Sequence, residues 1–301
     1  MATKEGAPAH GVVAHLLPPR YKRQISEWLE EDTPSFDYGG FVVGEEPAEA
    51  KLLGKSEGII AGLPFVTEVF TQLGCTITWH IPEGTPLSPI QHCATVTGPA
   101  RCILLGERVA LNTLARCSGI ATATSRTLSL LRSAGYTNTL AGTRKTTPGF
   151  RLVEKYGMLV GGADPHRQDL SAMTMLKDNH VWACGGSITA AVHAAKAAGG
   201  FAVKVEVECR SIEEAHEAVA AGAEVVMLDN FSAEGSRAAA RELKERWGRQ
   251  VLVEVSGGLT AENVGGYVSP DIDVISTSSI HQGVKHVDFS LKIVPKDKTA
   301  A

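Results

Sequence analysis

The stretch Val203–Asn230, VKVEVECRSIEEAHEAVAAGAEVVMLDN, contains one complete strand–helix–strand unit. Val203–Val207 alternates valine with charged residues in the two-residue period of a β-strand, whereas Ile212–Ala221 spaces its apolar residues as a helix does. A second apolar run, Glu224–Leu228, follows directly. This order predicts two parallel strands joined by a crossover helix.

The same alternation continues through the second half of the chain, from Asn138 onward. Further strands are predicted at Leu140–Thr143, Met173–Leu176, Leu252–Val255 and Val274–Ser276. Further helices are predicted at Ile188–Ala198 and Glu234–Trp247. So many consecutive units favour an α/β barrel over a two-layer sandwich.

The first half of the chain predicts a smaller α/β layer. Tyr21–Glu31 has the spacing of an amphipathic helix, and Cys75–Ile81 and Arg101–Leu105 are predicted strands. A helical region from Glu107 to about Gly135, interrupted near Ser118, would connect the two domains.

Composition excludes several classes of protein. The 301 residues are 44% hydrophobic and 21% charged, which is ordinary for a globular protein, and the net charge of -4 argues against a nucleic-acid partner. No run of about 18 apolar residues and no signal peptide is present, which argues against a membrane segment. The six cysteines are scattered without metal-ligand spacing, so we expect a reduced, cytoplasmic protein.

Polar residues follow four successive strands of the predicted barrel. Glu208 and Asp229 follow two of them, and the turns Ser256-Gly257-Gly258 and Thr277-Ser278-Ser279 follow the next two. Barrel active sites lie at this end of the strands, where small residues bind phosphate and one or two carboxylates hold Mg²⁺. Asp229 and Ser256 could instead cap the following helices, but four such positions in register favour a site.

The strand beginning at Val203 also has an unusual charged face. Lys204, Glu206 and Glu208 share one side of it, and the valines share the other. We expect the valines to face the helices and the charges to line the barrel interior, where charged groups are more often functional than structural. An exposed edge strand is the alternative.

Cations cluster near the ends of other strands. The candidate ligands for an anionic substrate are Arg108, Arg144, Lys145, His166, Arg167 and Lys177. Arginine suits carboxylates because its planar fork donates two parallel hydrogen bonds. Solvated surface charges are the alternative reading, and Lys177 could also be a Schiff-base lysine. His281, beyond the last strand, is a candidate phosphate contact.

Several of these segments resemble quinolinate phosphoribosyltransferases over about Leu17–Lys292. The motifs that carry the resemblance are Glu107–Asn112, Gly142–Gly149, Gly161-Gly162 with His166-Arg167, Lys177–His180, Val205–Glu208, Leu228–Phe231 and Glu254–Gly258. The resemblance implies a type II phosphoribosyltransferase fold, in which an N-terminal α/β sandwich domain precedes an α/β barrel with an incomplete strand set. The expected domains are 1–122, joined by the C-terminal segment 285–301, and the barrel 123–284.

The resemblance also implies roles for individual residues. Arg144, Lys145, His166, Arg167 and Lys177 would line the quinolinate pocket, and Arg108 would reach in from the partner subunit of a homodimer, which some relatives assemble into hexamers. Glu208 and Asp229 would face the ribose and Mg²⁺ of phosphoribosyl pyrophosphate. The 5-phosphate would lie on Ser256-Gly257-Gly258 and Thr277-Ser278-Ser279, where many relatives have glycine in place of Ser278. Lys145, Lys177, Glu208 and Asp229 are thus the expected catalytic residues.

The implied reaction joins quinolinate to the phosphoribosyl group and decarboxylates it to nicotinate mononucleotide in NAD biosynthesis. Three alternatives remain from the residues alone. They are a nicotinate phosphoribosyltransferase, which would act on a mono-acid, a Schiff-base aldolase using Lys177, and a barrel that senses phosphate without turnover.

Overall fold

The computed structural model describes residues 12–295, which form two compact units. The first unit contains the chain up to Thr124, the segment Thr147–Gly162 and the chain from Val284 onward; the second contains Ser125–Thr146 and Ala163–Gly283. The prediction from sequence placed 147–162 in the barrel. In the structure this segment belongs to the first unit, because Val153 and Tyr156 pack in that unit's core. The outer ends of the predicted first domain, 1–11 and 296–301, lie outside the described residues.

The helices and strands are numbered in chain order. The α-helices of the described residues are α1 Tyr21–Asp32, α2 Tyr38–Val43, α3 Leu63–Gln72, α4 Ala100–Ser133, α5 Arg151–Val160, α6 Asp178–Ala183, α7 Ile188–Gly199, α8 Ile212–Ala220 and α9 Ala233–Trp247. The strands are β1 Pro47–Gly54, β2 Gly58–Ile59, β3 Thr76–Trp79, β4 Pro86–Leu87, β5 Gln91–Pro99, β6 Thr139–Ala141, β7 Thr174–Leu176, β8 Val205–Cys209, β9 Val225–Asp229, β10 Leu252–Ser256, β11 Val274–Ser276 and β12 Phe289–Ile293.

The first unit is built on an antiparallel sheet with the strand order β12-β1-β5-β3. The C-terminal strand β12 pairs with β1 over Ala50–Gly54, so the end of the chain completes this sheet. Leu52 of β1, Val96 of β5 and Phe65 and Phe70 of α3 lie in one buried core. Mixed helices and sheet around a common core agree with the α/β layer predicted for this part of the chain.

Two predictions for the first half were wrong. Arg101–Leu105 lies at the start of α4 and is not a strand. A run of apolar residues this short is compatible with either element. The strand of this region is β5, which ends at Pro99. Helix α4 also continues through Ser118 and Gly119 without a break. The Ser118 hydroxyl bonds the main chain of Ala61 instead, and a Cβ on Gly119 would lie 2.3 Å from the Lys285 carbonyl oxygen, so these two residues permit close packing.

The second unit is a sheet of six parallel strands in the order β6-β11-β10-β9-β8-β7. Helices α7, α8 and α9 connect successive strands, as the strand–helix alternation predicted. Among the described residues, the two edge strands β6 and β7 do not pair with each other. The barrel therefore has an incomplete strand set, which confirms the predicted fold class.

The parallel register brings the carboxyl ends of the strands to one edge. Ser256 pairs with Asp229, and Glu208 pairs with Met227 on the neighbouring strand. Residues that are far apart in sequence thus meet where the strands end. Within residues 12–295, no helix is both long enough and apolar enough to cross a membrane.

Candidate active site

A cavity of about 230 Å³ lies at the carboxyl ends of the parallel strands in the second unit. Its walls carry charges of both signs together with two methionines. The lining residues are Thr143, Arg144, Lys145, His166, Arg167, Met175, Lys177, Glu208, Met227, Asp229, Glu254, Ser256, Gly257 and Ser276. Nine residues predicted from the sequence are among them, namely Arg144, Lys145, His166, Arg167, Lys177, Glu208, Asp229, Ser256 and Gly257.

Two arginines form the basic side of the cavity. Burial, and then the neighbouring Arg144 guanidinium, lower the pKa of Arg167, while Glu206 and Glu254 act in the opposite direction. The Arg167 guanidinium is held by the Met173 carbonyl oxygen, 3.2 Å from Nη1, and by the Met175 sulfur, 3.4 Å from Nη2. Two cations that repel each other inside one cavity are suited to a substrate with more than one negative charge.

The loop that carries His166 and Arg167 is tied to strand β6. The Asp164 amide donates to the Leu140 carbonyl at 2.9 Å, and Gly142 donates to the Asp164 carbonyl at 2.8 Å. The Asp164 carboxylate then accepts the His166 amide at 2.6 Å. His166 has a φ of 59°, a left-handed conformation that a non-glycine residue rarely adopts. These bonds hold His166 in that conformation and direct the following arginine into the cavity.

Carboxylates form the acidic side of the cavity. Glu208, at the end of β8, forms an ion pair with the Lys177 ammonium, which follows β7. Burial and the neighbouring Glu208 carboxylate raise the pKa of Asp229, and Lys177 and Lys145 lower it. The carboxylates of Glu208 and Asp229 are thus close enough to repel each other, and lysines compensate part of that repulsion.

The turn after β10 requires glycine at position 257 because of its backbone conformation and its close approach to Asn230. Gly257 has a φ of 99°, and a Cβ there would lie 2.4 Å from Oδ1 of Asn230. Asn230, itself left-handed with a φ of 58°, donates its amide to the Ser256 carbonyl at 3.1 Å. Gly258 also has a positive φ but faces open space, and it does not line the cavity.

The turn after β11 is held by hydrogen bonds within the second unit. The Thr277 hydroxyl donates to the Leu259 carbonyl at 2.6 Å and accepts the Ser279 amide at 3.0 Å. His281 is fully buried, with its Nε2 3.1 Å from the Thr143 hydroxyl. Thr277, Ser278, Ser279 and His281 do not line the cavity, and their predicted phosphate contacts stay predictions.

Arg108 lies on α4 in the first unit. It is exposed and lines a separate cavity of about 450 Å³ together with Trp28, Glu31 and Asn112. Its predicted role in a partner subunit also stays a prediction.

The interior face of the barrel also holds two acids to which the sequence assigned no role in the site. Glu206 and Glu254 are buried, and their carboxylates and the His166 ring nitrogen all lie within 4.8 Å of one another. Burial, and then the Glu254 carboxylate, raise the pKa of Glu206 from 4.5 to about 9, so Glu206 keeps its proton at neutral pH.

The two-residue period of β10 could have identified Glu254, because Glu254 and Ser256 share a face as Glu206 and Glu208 do on β8. One expectation for the charged face was wrong. Lys204 precedes β8 and is exposed, since the strand begins only at Val205.

The fold and this cavity define a barrel protein of the kind that binds small anionic substrates at the carboxyl ends of its strands. Residues 35–118 match the sequence family described as quinolinate phosphoribosyl transferase, N-terminal domain, and residues 120–292 match its C-terminal domain. The chain therefore belongs to the quinolinate phosphoribosyl transferase family.

Individual relatives agree with this assignment. The carboxylating nicotinate-nucleotide pyrophosphorylase of Homo sapiens is 50% identical over 289 residues, which are 96% of this chain and 97% of that protein. The rat protein of the same name is 51% identical over 279 residues, covering 92% and 93%. The solved nicotinate-nucleotide pyrophosphorylase from Francisella tularensis superposes with a TM-score of 0.85 at 32% identity, covering 95% of this chain and all of that one (100%).

Proposed function

We propose that this chain transfers the phosphoribosyl group of phosphoribosyl pyrophosphate to quinolinate and decarboxylates the product. Nicotinate mononucleotide, pyrophosphate and CO₂ result, a reaction of NAD biosynthesis. The observation that carries the proposal is the division of one cavity into a basic side, with Arg144 and Arg167, and an acidic side, with Glu208 and Asp229.

The basic side suits a pyridine dicarboxylate. Arg144, Lys145 and Arg167 line the same small cavity, and the two guanidinium groups repel each other in the absence of an anion. Two adjacent carboxylates would replace this repulsion with charge-assisted hydrogen bonds. A nicotinate enzyme, which binds one carboxylate, would not need this many cations.

The acidic side suits the phosphoribosyl donor. Glu208 and Asp229 end neighbouring strands, and their mutual repulsion is the situation that a bound cation relieves. Their donor set fits Mg²⁺, which takes one or two carboxylates when the substrate supplies phosphate oxygens. When bound, Mg²⁺ would neutralise the charge that develops on the pyrophosphate.

The reaction then proceeds by positioning and electrostatics. The bond between C1 of the ribose and the pyrophosphate oxygen breaks, and the positive charge that develops on the ribose is stabilised by Glu208 and Asp229. The pyridine nitrogen forms the new bond to C1 and becomes cationic. The 2-carboxylate leaves as CO₂, its electron pair passes to the cationic ring, and carbon-2 takes up a proton. Lys145 and Lys177 would stabilise the departing anion, and no general base is required.

The turns after the last strands would hold the 5-phosphate. Ser256 and Gly257 line the cavity, and Gly258 completes the turn after β10. The second turn, Thr277–Ser279, directly follows β11. Main-chain amides and hydroxyls in such turns are the groups that bind phosphate in barrels. His281 would act from behind this wall, through Thr143.

Release of labelled CO₂ tests the proposal. Quinolinate labelled in its 2-carboxylate is mixed with the protein, phosphoribosyl pyrophosphate and Mg²⁺, and each component is omitted in turn. Release that requires all of them, together with nicotinate mononucleotide, is the expected result. Conversion of nicotinate without CO₂ release would instead identify a nicotinate enzyme. Trapping of Lys177 by borohydride with a carbonyl substrate would favour the aldolase.

The assembly and the compartment belong to the same proposal. We expect a cytoplasmic homodimer in which Arg108 of one subunit completes the site of the other. The exposure of Arg108 on α4 is compatible with such a contact.

A further inference from the structure

Glu254 lies in the middle of β10 and receives hydrogen bonds from two other segments of the barrel. Its side chain is 3% exposed. The Ser276 hydroxyl of β11 donates to Oε1 at 2.5 Å, and Nε2 of His166 lies 3.1 Å from Oε2 and 3.3 Å from Oε1. Two side chains from different segments thus converge on one buried carboxyl group.

The contacts of His166 determine which ring nitrogen carries the proton. The Arg167 amide lies 2.8 Å from Nδ1, and a main-chain amide can only donate, so Nδ1 is the acceptor. The proton is therefore on Nε2, from which it is donated to Glu254. The imidazole is thus one tautomer in one orientation, with one nitrogen bonded to Glu254 and the other to the main chain of the arginine.

Arg167 needs such support because burial and the neighbouring Arg144 charge both disfavour a charged guanidinium at this place. Its guanidinium is partly buried beside that of Arg144, and the two repel each other. Its guanidinium donates to the Met173 carbonyl and to the Met175 sulfur, both neutral groups. Its backbone follows the left-handed His166, which remains in that conformation only while the bonds around it hold.

We propose that Glu254 is a positioning residue for the substrate-carboxylate site, acting through His166 to fix Arg167, with Ser276 orienting the Glu254 carboxylate. This inference rests on the proposed function for the identity of the dicarboxylate. It assigns a role to a residue whose hydrogen bonds reach the arginine through the His166 side chain, beside the direct attraction between the Glu254 and Arg167 charges. Glu254 sets the geometry with which Arg167 meets a carboxylate, and it takes no part in the reaction of the ribose.

The first test is a comparison of Michaelis constants. Glu254→Ala is expected to raise KM for quinolinate roughly tenfold or more, the scale on which residues supporting a binding group act. KM for phosphoribosyl pyrophosphate should change much less. Glu254→Gln should recover most of the loss, because its amide oxygen can accept from His166 while its amide nitrogen donates to Ser276. Glu262→Gln, an exposed position in the loop after β10, is the matched control.

A double-mutant cycle tests whether the effect passes through Arg167. Glu254→Ala should add little to the quinolinate KM in the Arg167→Ala background, because the group that it positions is gone. Equal increases in both Michaelis constants, or fully additive effects of the two substitutions, would overturn the proposal. If Glu254→Ala does not fold, Ser276→Ala is carried through the same cycle.

A spectroscopic measurement separates this inference from the proposed function. Nitrogen NMR of histidine-labelled protein should show His166 as the Nε2–H tautomer in the wild type and a clear shift of the Nε2 signal in Glu254→Ala, because Nε2 loses its carboxylate partner while the Arg167 amide still bonds Nδ1. An unchanged Nε2 signal in the variant would contradict the inference even if quinolinate is the substrate. A wild type that shows the tautomer but releases no CO₂ would contradict the proposed function alone.

Discussion

The ammonium group of Lys177 forms an ion pair with the carboxylate of Glu208 across the ends of the adjacent parallel strands β7 and β8. Glu208 also repels Asp229 on the next strand. Three charged groups are thus carried by three successive strand ends.

Replacing Glu208 with glutamine should lower kcat for CO₂ release by about 10²–10³-fold, since a preorganised charge facing the ribose is lost at the transition state. KM for quinolinate should change little. Steady-state measurements with each substrate varied in turn provide the check. Glu214→Gln, which lies on α8 and pairs with Arg210, is the control and should behave as the wild type. A kcat within a few-fold of the wild type would exclude a catalytic role for Glu208.

Replacing Arg144 or Arg167 with alanine should each reduce kcat/KM for quinolinate by roughly 1.5–3 kcal/mol, or about ten- to hundredfold, through the loss of a charge-assisted hydrogen bond. Arg144→Lys keeps the charge but loses the planar fork, so it should recover only part of this loss. Near-normal turnover in both alanine variants would show that the dicarboxylate binds elsewhere.

Glu206 makes stability depend on pH. Its pKa is raised on folding from 4.5 to about 9, so between these values the folded protein binds more protons than the unfolded chain. Its contribution to stability is therefore full below pH 4.5 and is lost as the pH rises towards 9, at up to about 1.4 kcal/mol per pH unit. Glu206→Gln replaces the titrating carboxyl group with a neutral amide, so the free energy of unfolding of the variant should fall less steeply as the pH rises. Urea unfolding across the window measures both slopes, and parallel curves would refute the assignment.

Gly257→Ala should destabilise the second unit. The new Cβ would lie 2.4 Å from the Asn230 side chain, and the φ of 99° is unfavourable for alanine. We expect a loss of roughly 2–4 kcal/mol in the free energy of unfolding and a higher KM for phosphoribosyl pyrophosphate. Gly265→Ala, which meets no atom within 4 Å and has no positive φ, is the matched control. Equal stability of the two variants in thermal unfolding would contradict the close approach at Asn230.

Mixed dimers test whether sites are shared between subunits. Arg108→Ala and Arg144→Ala should each keep at most about a tenth of wild-type activity at limiting quinolinate, but a mixed dimer contains one site with both arginines if Arg108 acts on the partner. Random mixing makes half of the dimers mixed, so unfolding and refolding the two together should restore roughly a quarter of wild-type activity. No recovery, although mixed dimers form, would mean that Arg108 does not act across the interface.

The barrel and much of the site were predictable because both depend on local patterns. Strand–helix alternation predicted the parallel sheet. The polar residues that follow the strands predicted Glu208, Asp229 and the turns at Ser256 and Thr277 as one group, of which the Thr277 turn does not line the cavity. Lys177 was predicted separately, from the cations near other strand ends. Failures occurred where local pattern was ambiguous. Arg101–Leu105 is too short an apolar run to separate helix from strand, and the small residues at Ser118 looked like a break although they permit close packing in α4.

The sequence by itself determined that this chain forms parallel strands with charged groups at their carboxyl ends, because side-chain periodicity and turn residues act over a few positions. Only the tertiary structure decided what those groups contact. Strand register placed Ser276 against Glu254. The main-chain hydrogen bonds between Asp164 and the end of β6 brought His166 to the same carboxylate. These contacts join residues up to 88 positions apart in the chain, and their energies depend on burial and distance, which no local pattern encodes.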